Sequence, residues 1–314
     1  MSDAALQTFA SADLDSNQAG DLVAELQAAR AEIERLRSDY DDLQILYEAT
    51  IEHGEAVEDQ LADANILLQR TQARLEGELN DASRYVMSII PERRAEHPKT
   101  DWLLVSSTEL GGDSFGYHEI DDDHFAIYLL DVCGHGVGAA LLSVTVINVL
   151  RAGALPQADF RSPPAVLAAL NEAFPMERQN DMFFTIWYGV YQRSTGRLTY
   201  STAGHPPAIH LRDAADGSVA ASMLAGEGSM AIGAFAGMEY GCEVVAIEPG
   251  DRLLVLSDGT YEVEGGDRML SLQELVEFVR RKGKDKPAKI LNWVRTFSSD
   301  GALPDDFSLL RVEF

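Results

Sequence analysis

The chain of 314 residues has 25 lysines and arginines against 51 aspartates and glutamates, which gives a formal net charge of −26. Such acidity argues against nucleic acid or an anionic membrane surface as a partner. The N-terminus has neither a basic start nor an apolar core, and no apolar run is long enough to cross a bilayer. With only two cysteines and no zinc-ligand spacing, these features predict a cytoplasmic protein without membrane insertion.

The N-terminal part predicts a short disordered segment, residues 1–20, followed by a coiled-coil helix over residues 21–90. Apolar and small residues there alternate at spacings of four and three over many heptads, which is typical of a coiled coil. The positions are Leu22, Leu26, Ala29, Ile33, Leu36, Tyr40, Leu43, Tyr47, Thr50, Gly54, Val57, Leu61, Ala64, Leu68, Thr71 and Leu75. Because one helix cannot bury this stripe alone, we expect a homodimer. The orientation of the two helices stays open, as does the choice between a plain stalk and a signalling helix.

The pattern changes in a linker, residues 91–101, where Pro91 and Pro98 end the helix. From residue 102 to residue 314, β-rich runs alternate with turns, and helical stretches lie among them. The strand runs do not follow a strict βαβ order. This favours an α+β domain with mainly antiparallel sheets.

Aspartates stand at the ends of several apolar runs. They are Asp113 in "LGGD", Asp131 after "FAIYLL", Asp258 after "RLLVLS", and the pair Asp305 and Asp306 before "FSLLRVEF". Each alone has a simpler interpretation, because Asp-Gly and Gly-Asp favour turns. If the strand ends meet, however, the carboxylates would repel one another unless cations were bound. Oxygen ligands of this kind select Mg²⁺ or Mn²⁺, and two such ions can activate water for attack on a phosphoryl group.

Five ordered motifs resemble those of the metal-dependent type 2C protein phosphatases, and more closely their bacterial SpoIIE/RsbU-type branch. They are "LGGDSFGY" (110–117), "LLDVCGHGVGAALL" (129–142), "STAGHPPAIHL" (201–211), "LVLSDGTYEV" (254–263) and "DDFSLL" (305–310). The resemblance implies a two-layer antiparallel β-sandwich flanked by helices over residues 102–314. It also implies hydrolysis of phosphoserine or phosphothreonine in a signalling protein, by water activated at two Mn²⁺ or Mg²⁺ ions.

The same resemblance assigns roles to individual residues. Asp113 and Asp131 would be the central metal ligands, helped by the backbone carbonyl of Val132, and Asp258 would complete the site with Asp305. Asp306 stays open as the alternative to Asp305. Partners implied by the branch are a phosphorylated protein substrate, such as a small STAS-type antagonist of an anti-sigma factor, and an upstream sensor or response regulator.

Two histidines have separate interpretations. His135, beside Asp131, either assists proton transfer to the leaving oxygen or simply belongs to the turn, whereas His205 between a strand and two prolines is expected to be structural. The arginine that grips phosphate in eukaryotic type 2C enzymes has no counterpart before Asp113.

Other functions fit less well. "GGDSF" resembles the diguanylate cyclase signature, but Ser114 stands where that signature needs an acid. Neither cysteine has the arginine six residues later that a cysteine phosphatase requires. The remaining alternative is a catalytically weak dimeric scaffold with a phosphatase-like fold.

Overall fold

The computed structural model describes residues 16–108, 110–156, 158–265, 268–281, 283–298 and 301–314. Most of the segment predicted to be disordered, residues 1–15, lies outside the described residues. The first element is a single helix, α1 (Ser16–Ile89), as the heptad pattern predicted. Over the described ranges, no helix combines the length and the apolar character needed to cross a bilayer.

The part of α1 up to Leu75 forms one compact unit of the chain. Its heptad side chains are exposed, as illustrated by Leu36 at 56%, Leu43 at 63% and Leu61 at 61%. An exposed apolar stripe of this length is costly in water, so the first unit supports the expectation of a partner helix.

The second unit, residues 76–314, contains two five-stranded sheets in which the paired strands are antiparallel. In chain order the strands are β1 (Lys99–Val105), β2 (Ser114–Glu119), β3 (His124–Val132), β4 (Phe184–Gln192), β5 (Arg197–Ala203), β6 (Ala208–Asp213), β7 (Val219–Leu224), β8 (Glu243–Ala246), β9 (Arg252–Leu256), β10 (Glu264–Gly265), β11 (Arg268–Met269) and β12 (Phe307–Glu313). One sheet has the order β1-β12-β9-β6-β7, the other β2-β3-β4-β5-β8, and β10 pairs with β11 as a small ribbon.

Within the described residues, four α-helices accompany the two sheets. They are α2 (Val137–Arg151), α3 (Pro163–Ala173), α4 (Leu272–Val279) and α5 (Pro287–Val294). The predicted α+β sandwich flanked by helices is therefore confirmed. One boundary differs from the predicted one, since the first strand begins at Lys99, within the predicted linker, rather than from residue 102.

Three apolar layers hold this unit together. The alternation of β3 shows the arrangement, because Ile127 and Leu129 lie between the two sheets whereas Tyr128 and Leu130 face α2 and α3. On the other side of the sandwich, Leu309 of β12 packs with the residues of α4 and α5. Strands buried on both faces place their polar residues at their ends, which is where the aspartates lie.

The segment between α1 and β1 is bound to the sandwich. Ile90 is buried, and the carbonyl oxygen of Pro91 accepts a hydrogen bond from Trp102 Nε1 at 3.1 Å. Tyr117 donates its hydroxyl to the carbonyl oxygen of Glu92 at 2.6 Å, and Arg151 at the end of α2 donates to the carbonyl oxygen of Ile89 at 2.8 Å. The end of α1 is thus held by strand and helix residues of the same unit.

Candidate metal centre

Asp131 lies at the end of β3, opposite Thr185 of β4. The chain leaves the strand through Gly134 and Gly136, whose φ angles of 91° and 88° belong to the left-handed region that glycine adopts without strain. α2 then begins at Val137. Burial, followed by the charges of Asp258 and Asp305, raises the pKa of Asp131 to about 7.

Asp113 immediately precedes β2 and is only 3% exposed. Its pKa is raised well above the usual range, first by burial and second by the charge of Asp131. Its Oδ2 atom is buried without a hydrogen-bond partner. An ionised carboxylate in this position is unfavourable unless a cation compensates it.

Asp258 begins the short helical turn that follows β9. Burial, and then the charge of Asp305, raise the pKa of Asp258 as well. Asp305 itself is exposed, on the turn that leads into β12. Asp131 is thus the common neighbour of Asp113, Asp258 and Asp305, although the four residues come from four separate segments of the chain.

Asp306 has a different environment from Asp305. It is 6% exposed, and its Oδ1 accepts hydrogen bonds from the backbone nitrogen of Ser107 at 2.8 Å and from the Ser107 hydroxyl at 3.1 Å. Its other oxygen lies directly against Gly111, where any Cβ atom would collide with it. Asp306 thus fastens the 107–113 loop to the start of β12.

The backbone carbonyl of Val132 lies beside the double glycine of the same loop. A Cβ atom on Gly112 would come within 2.6 Å of this carbonyl oxygen. Glycine at this position allows the loop carrying Asp113 to approach the end of β3. The sequence "LGGD" is explained by two close contacts, one at Gly111 and one at Gly112.

This arrangement suits hard divalent cations. Among the described residues, no three His, Cys, Asp or Glu side chains converge tightly enough to enclose an ion by themselves. Mg²⁺, however, keeps several water ligands and takes only one or two carboxylates directly, so a looser group of acidic oxygens matches its chemistry. The buried, unpartnered Oδ2 of Asp113 is the atom that most requires such a cation.

His135 and His205 occupy contrasting positions. His135 is exposed on the loop after β3, and its ring makes no hydrogen bond within the part of the chain that the structure describes. His205 is buried, and its Nδ1 shares a hydrogen bond of 2.8 Å with the hydroxyl of Thr185. Burial lowers the pKa of His205 to about 3. Its position agrees with the structural role expected for it.

Sequence reasoning missed the serines that support the carboxylates. Ser257 donates its hydroxyl to the carbonyl oxygen of Asp306 at 3.1 Å and accepts from the backbone nitrogen of Ser308 at 3.1 Å. Ser107 holds the Asp306 carboxylate. Each serine lies in or near one motif in the sequence but forms its hydrogen bond with a motif far away in the sequence. No rule based on residue spacing could therefore have identified it.

The buried state of His205 predicts a defined loss of stability in acid. The fold accommodates only the neutral ring. The pKa of the His205 ring is about 6.5 in the unfolded chain and about 3 in the folded one, so between these pH values the unfolded chain binds the proton more tightly. As the pH is lowered below about 6.5, the free energy of unfolding should therefore decrease, and His205 should account for about 2 kcal/mol of that decrease at pH 5. Urea unfolding at pH 7 and pH 5 measures it.

Substitution His205→Asn isolates that contribution. The variant should lose less stability between pH 7 and pH 5 than the wild type, by about 2 kcal/mol, while His53→Asn on the exposed face of α1 should follow the wild type. Equal slopes in the wild type and His205→Asn would contradict the assignment.

Comparison with known proteins places this geometry in a family. The sequence profile of "Stage II sporulation protein E (SpoIIE)" matches residues 121–314, more than half of the chain. The phosphoserine phosphatase RsbU of Bacillus subtilis is 24% identical over 279 residues, covering 86% of this chain and 78% of RsbU. The phosphoserine phosphatase RsbP of the same organism is 30% identical over 166 residues. That match covers 52% of this chain but only 39% of RsbP.

Solved structures agree on the fold. The SiaA-PP2C domain of Pseudomonas aeruginosa has a TM-score of 0.64 at 19% identity, and the match covers 78% of this chain and 98% of that domain. The PP2C phosphatase domain of SpoIIE from Bacillus subtilis, solved with a fragment of its regulatory domain, has a TM-score of 0.57 at 16% identity. That match covers 71% of this chain and 69% of the solved one. The chain belongs to the SpoIIE family of bacterial PP2C-type serine/threonine phosphatases.

Proposed function

We propose that this chain hydrolyses phosphoserine and phosphothreonine in a protein of a bacterial signalling pathway. The observation that carries the proposal is the convergence of Asp113, Asp131, Asp258 and Asp305, in which burial and mutual repulsion raise the pKa values of the first three. Two of its relatives are named phosphoserine phosphatases. A small STAS-type antagonist is the substrate that the family resemblance suggests.

Two Mn²⁺ or Mg²⁺ ions are the cofactors we propose. When bound, they would neutralise the carboxylates, activate a water molecule and withdraw negative charge from the phosphoryl group. Support comes from the donor set, which consists of carboxylate oxygens with the Val132 carbonyl. A solved structure of RsbX in complex with magnesium has this fold, with a TM-score of 0.50 at 16% identity.

The acidic residues have two proposed roles, binding the cations and positioning the loop that carries Asp113. Asp113 and Asp131 would hold the cations from the centre, and Asp258 and Asp305 from the rim. We assign Asp305 rather than Asp306 to this role, because both carboxylate oxygens of Asp306 are already engaged by the 107–113 loop. Asp306 would instead keep that loop in place.

His135 is proposed as the proton donor to the leaving oxygen. Its exposed ring has no hydrogen bond to any described residue, so it is available to substrate and solvent. It stands four residues after Asp131, on the loop between β3 and α2.

The domain organisation is part of the proposal. Residues 21–90 would form a dimerising coiled coil, residues 91–101 a connection, and residues 102–314 the phosphatase domain. The exposed heptad side chains support a homodimer, and an upstream sensor or response regulator would act on it. We place the protein in the cytoplasm, and its two cysteines form no disulfide.

Hydrolysis of p-nitrophenyl phosphate tests the activity. We expect turnover with Mn²⁺, none with EDTA, and a loss of about a hundredfold or more in Asp131→Ala, because ligand removal perturbs the centre more than loss of a supporting residue does. Asp122→Ala removes an exposed carboxylate near the opposite end of β3 and should retain the wild-type rate. A folded protein that stays inactive with every divalent metal, with and without residues 1–90, would favour the scaffold alternative.

Sedimentation equilibrium at micromolar concentration tests the dimer. The wild type should have twice the chain mass of 34.3 kDa. The double substitution Leu36→Lys and Leu43→Lys places charges in the seam and should give a monomer. Ser38→Lys, on the opposite face of the same turn, should remain dimeric. A monomeric wild type would refute this part of the proposal.

A further inference from the structure

α2 presents apolar side chains to solvent beside the metal centre. Val137 is 47% exposed and Leu141 is 60% exposed, although the opposite face of the helix is buried in the core. With Thr145 they are spaced by four residues, so they form one stripe along the helix. An exposed pair of large apolar residues next to a reaction centre suggests contact with another molecule.

A second segment lies against this stripe. The backbone of Phe183 pairs with that of Cys133, where the Cys133 nitrogen donates to the Phe183 carbonyl oxygen at 2.9 Å. Because side chains alternate along a strand, Phe183 is on the same side of the sheet as Asp131 and about 7 Å further along it. Met182 faces α2, where a Cβ atom on Gly138 would be 3.7 Å from it.

Arg178 is the cation at the edge of this surface. It is exposed, and within the described part of the chain its guanidinium has neither an ion pair nor a hydrogen bond. Its position makes it available to an acidic group on another molecule.

A groove of about 220 Å³ joins these features. Gly138, Leu141 and Thr145 of α2 line one side, and Arg178, Asn180 and Met182 line the other. Starting from the proposed phosphatase function, we propose that this groove binds the segment of the substrate protein that flanks its phosphorylated residue. An apolar side chain of that segment would pack on Leu141 and Met182, and an acidic one would pair with Arg178.

The groove begins close to the metal centre along the chain. Gly138, which lines it, lies in the first turn of α2, seven residues after Asp131. A substrate anchored there gains specificity that generic carboxylates and metal ions cannot supply, because those recognise only the phosphoryl group.

Paired phosphoserine peptides test the proposal. The two peptides differ only in having two glutamates or two lysines on one flank of the phosphoserine, and kcat/KM is measured for each with Mn²⁺ at low ionic strength. The wild type should prefer the glutamate peptide by about tenfold, mainly through KM. Arg178→Glu should reverse the preference. Arg197→Glu, at the start of β5 and paired with the last residue of β4, should keep it. The ratio between the peptides cancels any change in general turnover.

A second variant addresses the apolar part. Leu141→Gln should reduce kcat/KM about tenfold for a peptide with a flanking leucine, relative to one with serine there. Ratios in Arg178→Glu and Leu141→Gln that stay within twofold of the wild type would overturn the proposal. A change in sedimentation of Leu141→Gln would also overturn it and identify a second copy of this chain as the occupant.

A different set of results is expected if the chain is not a phosphatase. In that case p-nitrophenyl phosphate is not hydrolysed by the wild type. Fluorescence anisotropy of the labelled peptides with the full chain then still reports binding. Preference for the glutamate peptide that Arg178→Glu reverses would support the groove, and equal or absent binding of the two peptides would overturn it.

Discussion

The repulsion among acidic side chains at the ends of buried strands is the constraint on which the rest of this structure depends. The charge of Asp131 raises the pKa of Asp113, and the charges of Asp258 and Asp305 raise that of Asp131, while burial keeps both carboxyl groups from full contact with water. A fold does not gain stability from such an arrangement. The arrangement makes sense as a binding site for cations, because a bound positive charge is attracted by the same carboxylates that repel one another.

The sandwich makes this concentration of charge geometrically feasible. β3 belongs to one sheet and β9 and β12 belong to the other, so stacking the sheets brings their ends together. The apolar layer between the sheets fixes the relative position of those ends, and the support is provided by small and polar residues. Gly112 allows close approach to β3, while Asp306 and Ser107 fasten the loop from the side of β12.

Much of this could be predicted from sequence, for physical reasons. An apolar run that stops at an aspartate marks a strand end, and the heptad spacing alone indicated α1. The resemblance named Asp305 and kept Asp306 as the alternative, because neighbouring residues in the sequence differ only in which way their side chains point. The partner of Ser107 is nearly two hundred residues away in sequence, and nothing local indicates such a contact. The groove beside Arg178 likewise arises from two segments that meet only in the folded chain.

Thermal unfolding of the wild type and Asp131→Asn, each with and without Mn²⁺, tests the central claim most directly. Without metal, the variant should have a melting temperature about 2–4 °C higher than the wild type. This is the shift expected in a domain of this size when about 1 kcal/mol of repulsion is removed. Mn²⁺ should raise the melting temperature of the wild type strongly and that of the variant much less. A metal-free variant that is less stable than the wild type, or equal shifts with Mn²⁺ in both, would contradict the account.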